Sequence, residues 1–342
     1  MFKESSINLD IRRVAIIGSG LSGLTAGHRL RAAGAATRIF EKSRGPGGRL
    51  ASKRVAGGSA DIGAQYFTIR NPDFGTFLDH YAGPETYQRW HGDLRYQRKD
   101  GGWEGFRPEQ RYVGVPRMTA IARQLARHLE IVTEVRIEHL ARQDDGSWEL
   151  FDSQGGSRGH FDAVIITTPP AQAKMILQNS GLDHLSENFS SDVKQMHACW
   201  TLAARFEPGL ALGYDGLQAQ SEILQWAGNN SSKPGRQGAG EWWVLHARPN
   251  WSDEHQDADP ETVKATLLEA FFQATGVARE PADVLIHRWL YARSQAPDGP
   301  GHLWFDDQRL GIIGDWLSGG RVEGAFNSAE SLIAGWQKQE II

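Results

Sequence analysis

The sequence predicts an α/β fold in which a parallel, Rossmann-type domain is interrupted by a second, mostly antiparallel β domain. Three observations predict it. The chain opens on a strand, a glycine turn and a helix, Val14-Ala-Ile-Ile-Gly18-Ser-Gly20-Leu-Ser-Gly23-Leu24, and a second strand ending in Glu41 comes next. An apolar strand pattern of the same kind, Leu310-Gly-Ile-Ile-Gly314-Asp315, returns near the other end. Between them the pattern changes to spaced strand-like segments divided by loops.

Each element has a physical reason. The first apolar run reads as a buried parallel strand. Gly18 permits the tight turn, Gly20 lets the backbone approach a pyrophosphate, and Gly23 lets helix and strand pack closely. With Ser19, Leu21 and Ser22 they form a turn that rests a diphosphate on the free N–H groups and positive end of the helix. Gly23, Ala26, Gly27 and Leu30 make a narrow stripe suited to lying on a sheet, and Gly34 ends the helix. Thr37-Arg-Ile-Phe-Glu41 is the second strand, its acid placed roughly 20 residues on to accept from a ribose diol. A glycine turn alone occurs in ordinary α/β proteins; strand, helix and acid together specify a bound dinucleotide.

Residues 43–70 read as a glycine-rich loop running into Asp61-Ile-Gly-Ala-Gln-Tyr-Phe67, and 71–111 as an irregular, aromatic-rich insertion. Residues 116–129 carry Met118, Ile121, Leu125 and Leu129 on one helical face. Strands are expected at 131–137, 148–152 and 161–168, the last closed by Pro169-Pro170. Further strands are expected at 199–206, 222–227, 241–247 and 284–291. Asp259-Pro260-Glu261 opens a helix with an N-cap and an N1 proline, and 321–338 reads as a closing helix. The nucleotide domain is therefore expected to be discontinuous, at 1–70, 111–170 and 301–342, with 71–110 and 171–300 as the inserted domain.

Composition bounds the function. A chain of 342 residues favours two domains, and 40% hydrophobic with 23% charged residues describes a soluble globular protein with a sizeable core. A net charge of -4 gives no electrostatic reason to expect nucleic acid or an anionic membrane surface. No apolar run approaches the roughly 20 residues that cross a bilayer. A single cysteine, Cys199, excludes an internal disulfide and fits a reducing compartment, so the cytoplasm is the expected location. The histidines contain no H-E-x-x-H, and no metal site is expected. Twelve tryptophans are many, and several fall late: Trp226, Trp242, Trp243, Trp251, Trp289, Trp304 and Trp316. Core packing and aromatic walls around a flat ligand both explain them.

The residues just past the fingerprint narrow the cofactor. Glu41-Lys42-Ser-Arg-Gly45-Pro-Gly47-Gly48-Arg49 resembles the extended signature of the flavin amine oxidase superfamily, in which Arg49 lies near the pyrophosphate. The resemblance makes Asp315, after Gly314, the residue that holds the ribityl chain. It makes Arg321, Val322, Glu323 and Ala325 the helix start that faces the flavin. Lys42, Gly48, Ala64 and Val135 complete the expected cofactor-binding set. The implied fold is a Rossmann-type FAD-binding domain, p-hydroxybenzoate hydroxylase/amine oxidase-like, and the implied cofactor is noncovalent FAD.

Within that superfamily, Asp61-Ile-Gly-Ala-Gln-Tyr-Phe-Thr68, Trp243-Val-Leu-His246-Ala, His287-Arg-Trp-Leu-Tyr-Ala-Arg293 and Gly314-Asp-Trp-Leu-Ser-Gly-Gly-Arg-Val-Glu-Gly-Ala325 together resemble the bacterial renalases. This resemblance implies oxidation of 1,2- or 1,6-dihydro isomers of NAD(P)H to NAD(P)+, by hydride transfer to flavin N5 and return of the electrons to O2 as H2O2. Such a substrate is already a hydride donor and needs positioning more than acid–base help. Gln65, Tyr66, His246 and Trp289 are the candidates for the substrate side; a histidine or tryptophan in a half-buried strand is as often a packing residue. An FAD-dependent amine oxidase or desaturase on the same scaffold is one alternative, and a flavin-binding redox sensor without turnover is another.

Overall fold

The computed structural model describes residues 11–295 and 299–342. The chain divides into two compact units, one of residues 11–48, 125–193 and 299–342, the other of 49–124 and 194–295.

The first unit is built on a six-stranded sheet in the order His302–Phe305, Leu310–Ile313, Ala163–Ile166, Arg13–Ile17, Ala36–Glu41, Ile131–Thr133. All neighbours run parallel except the edge strand His302–Phe305. Val14 pairs with both Ala163 and Thr37, so the first apolar run lies mid-sheet with Val14, Ala15 and Ile16 fully buried. That is the burial a continuous apolar run requires. The helix Leu21–Ala32 buries Gly23, Ala26, Gly27 and Leu30 as its stripe implies. A Cβ on Gly27 would lie 3.1 Å from Ile39 Cδ1, so the small residue sets the helix–sheet spacing. The closing helix Val322–Lys338 packs on the same helix.

The strand expected at 131–137 breaks. Glu134 turns with φ 60°, its N–H and that of Val135 donate to the carbonyls of Ser43 and Glu41, and the chain resumes as Ile137–Arg142 in a separate three-stranded antiparallel sheet. Likewise 161–168 divides into the end of Ser157–Phe161, which belongs to that small sheet, and Ala163–Ile166 in the large one.

The second unit holds a seven-stranded sheet in the order Asp283–Ser294, Met196–Phe206, Glu241–Ala247, Leu224–Asn229, Gly216–Gln218, Leu94–Gln97, Trp103–Gly105. It is antiparallel except where Gly216–Gln218 meets Leu94–Gln97. The period of two assigns faces. From Glu241–Ala247, Trp243, Leu245 and Ala247 join a core that includes Val263, Leu267 and Phe271 of the helix Pro260–Thr275. Asp259 caps that helix by accepting from Thr262 N. Trp242 and Val244 point the other way, into a cluster with Ala60, Ile62 and Ala203.

That second cluster explains why the domain boundaries expected from sequence shift. Residues 49–70 and 111–124, expected with the nucleotide domain, belong to the second unit. The hairpin Ser52–Val55/Gly58–Asp61 buries Ala60 and Ile62 against its sheet, and Met118 N donates to Asp61 Oδ1 at 3.0 Å. Residues 171–193, expected with the inserted domain, belong to the first unit, where the helix Pro170–Asn179 packs on Ile137–Arg142. Nor is 71–111 irregular throughout. Pro72–Tyr81 is a helix capped by the Asn71 side chain with Phe74, Phe77 and Leu78 buried, and Leu94–Gln97 and Trp103–Gly105 extend the large sheet.

Candidate functional site

The nucleotide cradle lies in the first unit. Gly18 adopts φ 110°, and a Cβ there would meet Thr167 Oγ1 at 2.6 Å. A Cβ on Gly23 would lie 2.1 Å from the Gly18 carbonyl, so the third glycine lets the helix close onto the turn. A Cβ on Gly20 would touch nothing within 4 Å: here the space lies open for a group from outside the chain. Gly20 is also the N-cap of Leu21–Ala32, with no side-chain cap and no acid in the first turn, which leaves the helix N–H groups to an anion. The loop after the second strand docks on this turn through Gly47 N, which donates to Ser19 O at 2.9 Å. A Cβ on Gly48 would come within 3.5 Å of Gly20 Cα.

Glu41 is buried, and its Oε2 accepts from Ser19 N at 3.0 Å and Ser19 Oγ at 2.7 Å while Oε1 accepts from Ser43 N at 2.8 Å. The acid therefore fixes the turn in addition to any contact with a ribose. Lys42 Nζ donates to Gln172 Oε1 at 3.2 Å, and Val135 is buried beside Glu41, to whose carbonyl its N–H donates. At the far end of the chain Asp315 and Glu323 are buried. Gly314 N donates to Ser328 Oγ at 2.8 Å, and a Cβ on Gly324 would lie 2.2 Å from Ser318 O. Arg321 caps Val322–Lys338 without a side-chain hydrogen bond.

Arg49 and Ala64 stand in the second unit: Arg49 Nη1 donates to Ala292 O at 3.3 Å and Ala64 N to Arg49 O at 2.9 Å. All four substrate-side candidates are in that unit as well. His246 shares the face of Trp242 and Val244, and Trp289 partly packs against the same cluster. Gln65 Nε2 approaches His246 Nε2 at 3.4 Å, and Trp289 Nε1 donates to Ile62 O at 3.0 Å. Burial, with Lys233 nearby and against a hydrogen bond to Ile62, lowers His246 to about 4, so its ring is neutral near physiological pH. Tyr66 lies in an aromatic group with Trp226 and Trp90.

Sequence reasoning missed the charged centre behind them. Asp61 is fully buried; its Oδ2 accepts from Lys233 Nζ at 3.3 Å and from Arg236 Nη2, and its Oδ1 from Ser52 Oγ at 2.7 Å. Lys233 Nζ also donates to Gln65 Oε1 at 3.1 Å, linking this centre to the Gln65–His246 pair. Burial would raise the Asp61 carboxyl, but the two cations hold it below its ordinary range. Burial, only partly offset by Asp61, lowers Lys233 to about 8. Asp61 opens a segment that sequence marks, whereas Lys233 and Arg236 sit in a loop with no periodicity to mark them. Of the late tryptophans, Trp242 and Trp289 lie on the His246 side of the sheet, and Trp226 is the cross-strand neighbour of His246. Trp243 and Trp251 pack in the helix-covered core, Trp242 in the opposite one, and Trp304 and Trp316 belong to the first unit. Cys199 pairs across strands with Trp289, and burial pushes its thiol up to about 11.

The glycine-lined turn, bare helix end and buried acid define a dinucleotide-binding scaffold. Residues 104–331 match the family of flavin containing amine oxidoreductases, and 16–81 match the NAD(P)-binding Rossmann-like domain. The chain belongs to the flavin containing amine oxidoreductase family, and its cofactor is FAD. The open space at Gly20 and the uncapped helix end fit the diphosphate of that group. Protoporphyrinogen oxidase 2 of Arabidopsis thaliana is 38% identical over 77 residues, 22% of this chain and 15% of the relative. Putrescine oxidase of Kocuria rosea is 36% identical over 91 residues, 26% of this chain and 19% of the relative. The matches thus span less than a fifth of these curated relatives. In fold the chain resembles cyclohexylamine oxidase from Brevibacterium oxydans, with a TM-score of 0.73 at 14% identity over 96% of this chain and 99% of that one. Among the described residues no helix is long and apolar enough to cross a membrane.

Proposed function

We propose that the protein is a renalase-type FAD oxidase, which converts 1,2- or 1,6-dihydro isomers of NAD(P)H, with O2 and a proton, to NAD(P)+ and H2O2. When bound, FAD, held noncovalently, supplies the two-electron acceptor and the route to oxygen. The observation that carries the reading is the Gln65–His246 pair: a neutral amide and a neutral imidazole 3.4 Å apart, backed by Lys233. Gln65 is held rigid by donating to the carbonyls of Asp61 and Gly63 and accepting from Lys233, so the pair presents a fixed, uncharged polar edge to a carboxamide on a ring. Gln65 would orient that amide, His246 would complete its hydrogen bonds, and Trp289 and Tyr66 would wall the ring. None of these groups has to move a proton, which suits a substrate that is already a hydride donor.

Amine oxidation is the second reading, favoured by the likeness to putrescine oxidase and, in fold, to cyclohexylamine oxidase. Peroxide formation under air separates the two. Turnover with the purified 1,2- and 1,6-dihydro isomers and none with putrescine, cyclohexylamine or benzylamine supports the first. Turnover with an amine alone replaces it with the second.

A further inference from the structure

Beside the Gln65–His246 pair the second unit carries an aromatic group that the walling of a nicotinamide ring uses only in part. The Tyr66 and Trp226 rings lie 5.9 Å apart, Phe106 and Trp226 6.0 Å, and Tyr66 and Trp90 6.4 Å. Two cations of the chain already occupy their faces. The Arg111 guanidinium stands 5.4 Å from the Tyr66 centroid and 5.3 Å from that of Phe106, and Lys233 Nζ 5.6 Å from that of Trp90. The positions where an aromatic cage would hold a substrate ammonium are therefore filled from within.

The charges around this group do not balance. Asp61 is shared by Lys233 and Arg236. The acid near Arg111 is Glu109, 4.0 Å away and bound at 2.6 Å to Arg70. His246, facing Lys233, is neutral and adds no compensating charge. Arg111 is held in place by its two Nη atoms, which donate to the carbonyls of Glu109 and Arg107 at 3.2 Å each. Its Nε is buried without a partner among the described residues, and so is the Nε1 of Trp226, a residue only 9% exposed. Buried donors left unpaired are costly unless something accepts from them. Trp226 is also the cross-strand neighbour of His246, which joins the aromatic group to the amide–imidazole pair.

We propose that Arg111 and the Trp226 indole N–H form a recognition site for the anionic or hydrogen-bond-accepting group of a planar aromatic substrate, and that the site rejects cationic amines. The proposal rests on the reading of this unit as the substrate-holding one and extends it from a ring to the charge the ring carries. A carboxylate, a carboxamide and a phosphate share the acceptor chemistry. A protonated amine would meet Arg111 and Lys233 as like charges.

Three ligands with one ring test this: benzoate, benzamide and benzylamine, titrated into the FAD-loaded protein by calorimetry at about neutral pH, where benzylamine is a cation like lysine. Benzoate is expected to bind at least about tenfold more tightly than benzylamine, with benzamide between them. Arg111→Gln brings benzoate within about threefold of benzamide, whereas Arg111→Lys, which keeps the charge, retains most of the difference. Trp226→Phe weakens benzoate and benzamide together and leaves their ratio unchanged. Benzylamine binding as tightly as benzoate would overturn the proposal, as would an Arg111→Gln protein that keeps the wild-type ratio. Should Arg111→Gln fail to fold or to retain FAD, the wild-type order and Trp226→Phe decide. The outcome is separable from the dihydronicotinamide reading: if benzoate is preferred but the dihydro isomers yield no peroxide, that reading falls and this one stands. If the isomers turn over without the ligand order, the reverse holds.

Discussion

Replacing Asp61 by Asn removes one charge from a site where two cations remain. Lys233 and Arg236 are almost wholly buried and share Asp61 Oδ2. Breaking a buried ion pair from one side costs about 3–5 kcal/mol, because the partner is stranded. At about 2–4 °C per kcal/mol for a unit of this size the midpoint falls by about 6–20 °C. The pH dependence has a definite sign. A lysine whose folded value lies below its unfolded one makes the unfolded chain bind more protons between the two, so stability rises with pH in that window. In wild type the window runs from about 8 to 10.5; without Asp61 it opens lower, so the gap between the proteins narrows as pH rises from about 7 to 9. Thermal unfolding by circular dichroism at both pH values measures this. A variant within about 1 kcal/mol of wild type, or a gap that does not change with pH, would refute the reasoning.

Three further outcomes are expected. Gly20→Ala, whose Cβ meets no chain atom within 4 Å, folds with a near-native midpoint but loses FAD on dialysis, whereas Gly23→Ala, whose Cβ would lie 2.1 Å from Gly18 O, loses stability as well; equal stability in the two apoproteins would contradict this. Trp289→Phe loses the bond to Ile62 O and is expected to slow flavin reduction about tenfold with FAD content unchanged, so wild-type reduction rates would displace Trp289 from the substrate side. Benzoate affinity is expected to stay level between about pH 5 and 7, since His246 titrates at about 4, and to fall as Lys233 discharges at about 8; a limb near 6.5 would contradict the neutral imidazole.

The nucleotide half of the fold was legible because its signals are local. A four-residue apolar run and glycines with separate steric duties dictate their own geometry: Gly18 takes a positive φ and Gly23 lets the helix close onto the turn, while the bonds of Glu41 to Ser19 were not foreseen. The strand expected at 241–247 is likewise present and carries His246. What could not be read was the partnering of distant segments. Arg111, Trp226 and Lys233 reach one aromatic group from three separate segments, a convergence that no periodicity encodes. The short helix Pro72–Tyr81 was missed for another reason: its Asn71-Pro72 start reads equally as a turn.

Anaerobic stopped-flow reduction of the bound flavin, followed at about 450 nm where its ring absorbs, addresses the proposed activity most directly. Mixing with 1,2- or 1,6-dihydro NAD(P) is expected to bleach that band in one fast phase, with ordinary NADH, putrescine and cyclohexylamine leaving it unchanged over the same interval. Rapid bleaching by an amine with no response to either dihydro isomer would contradict the account.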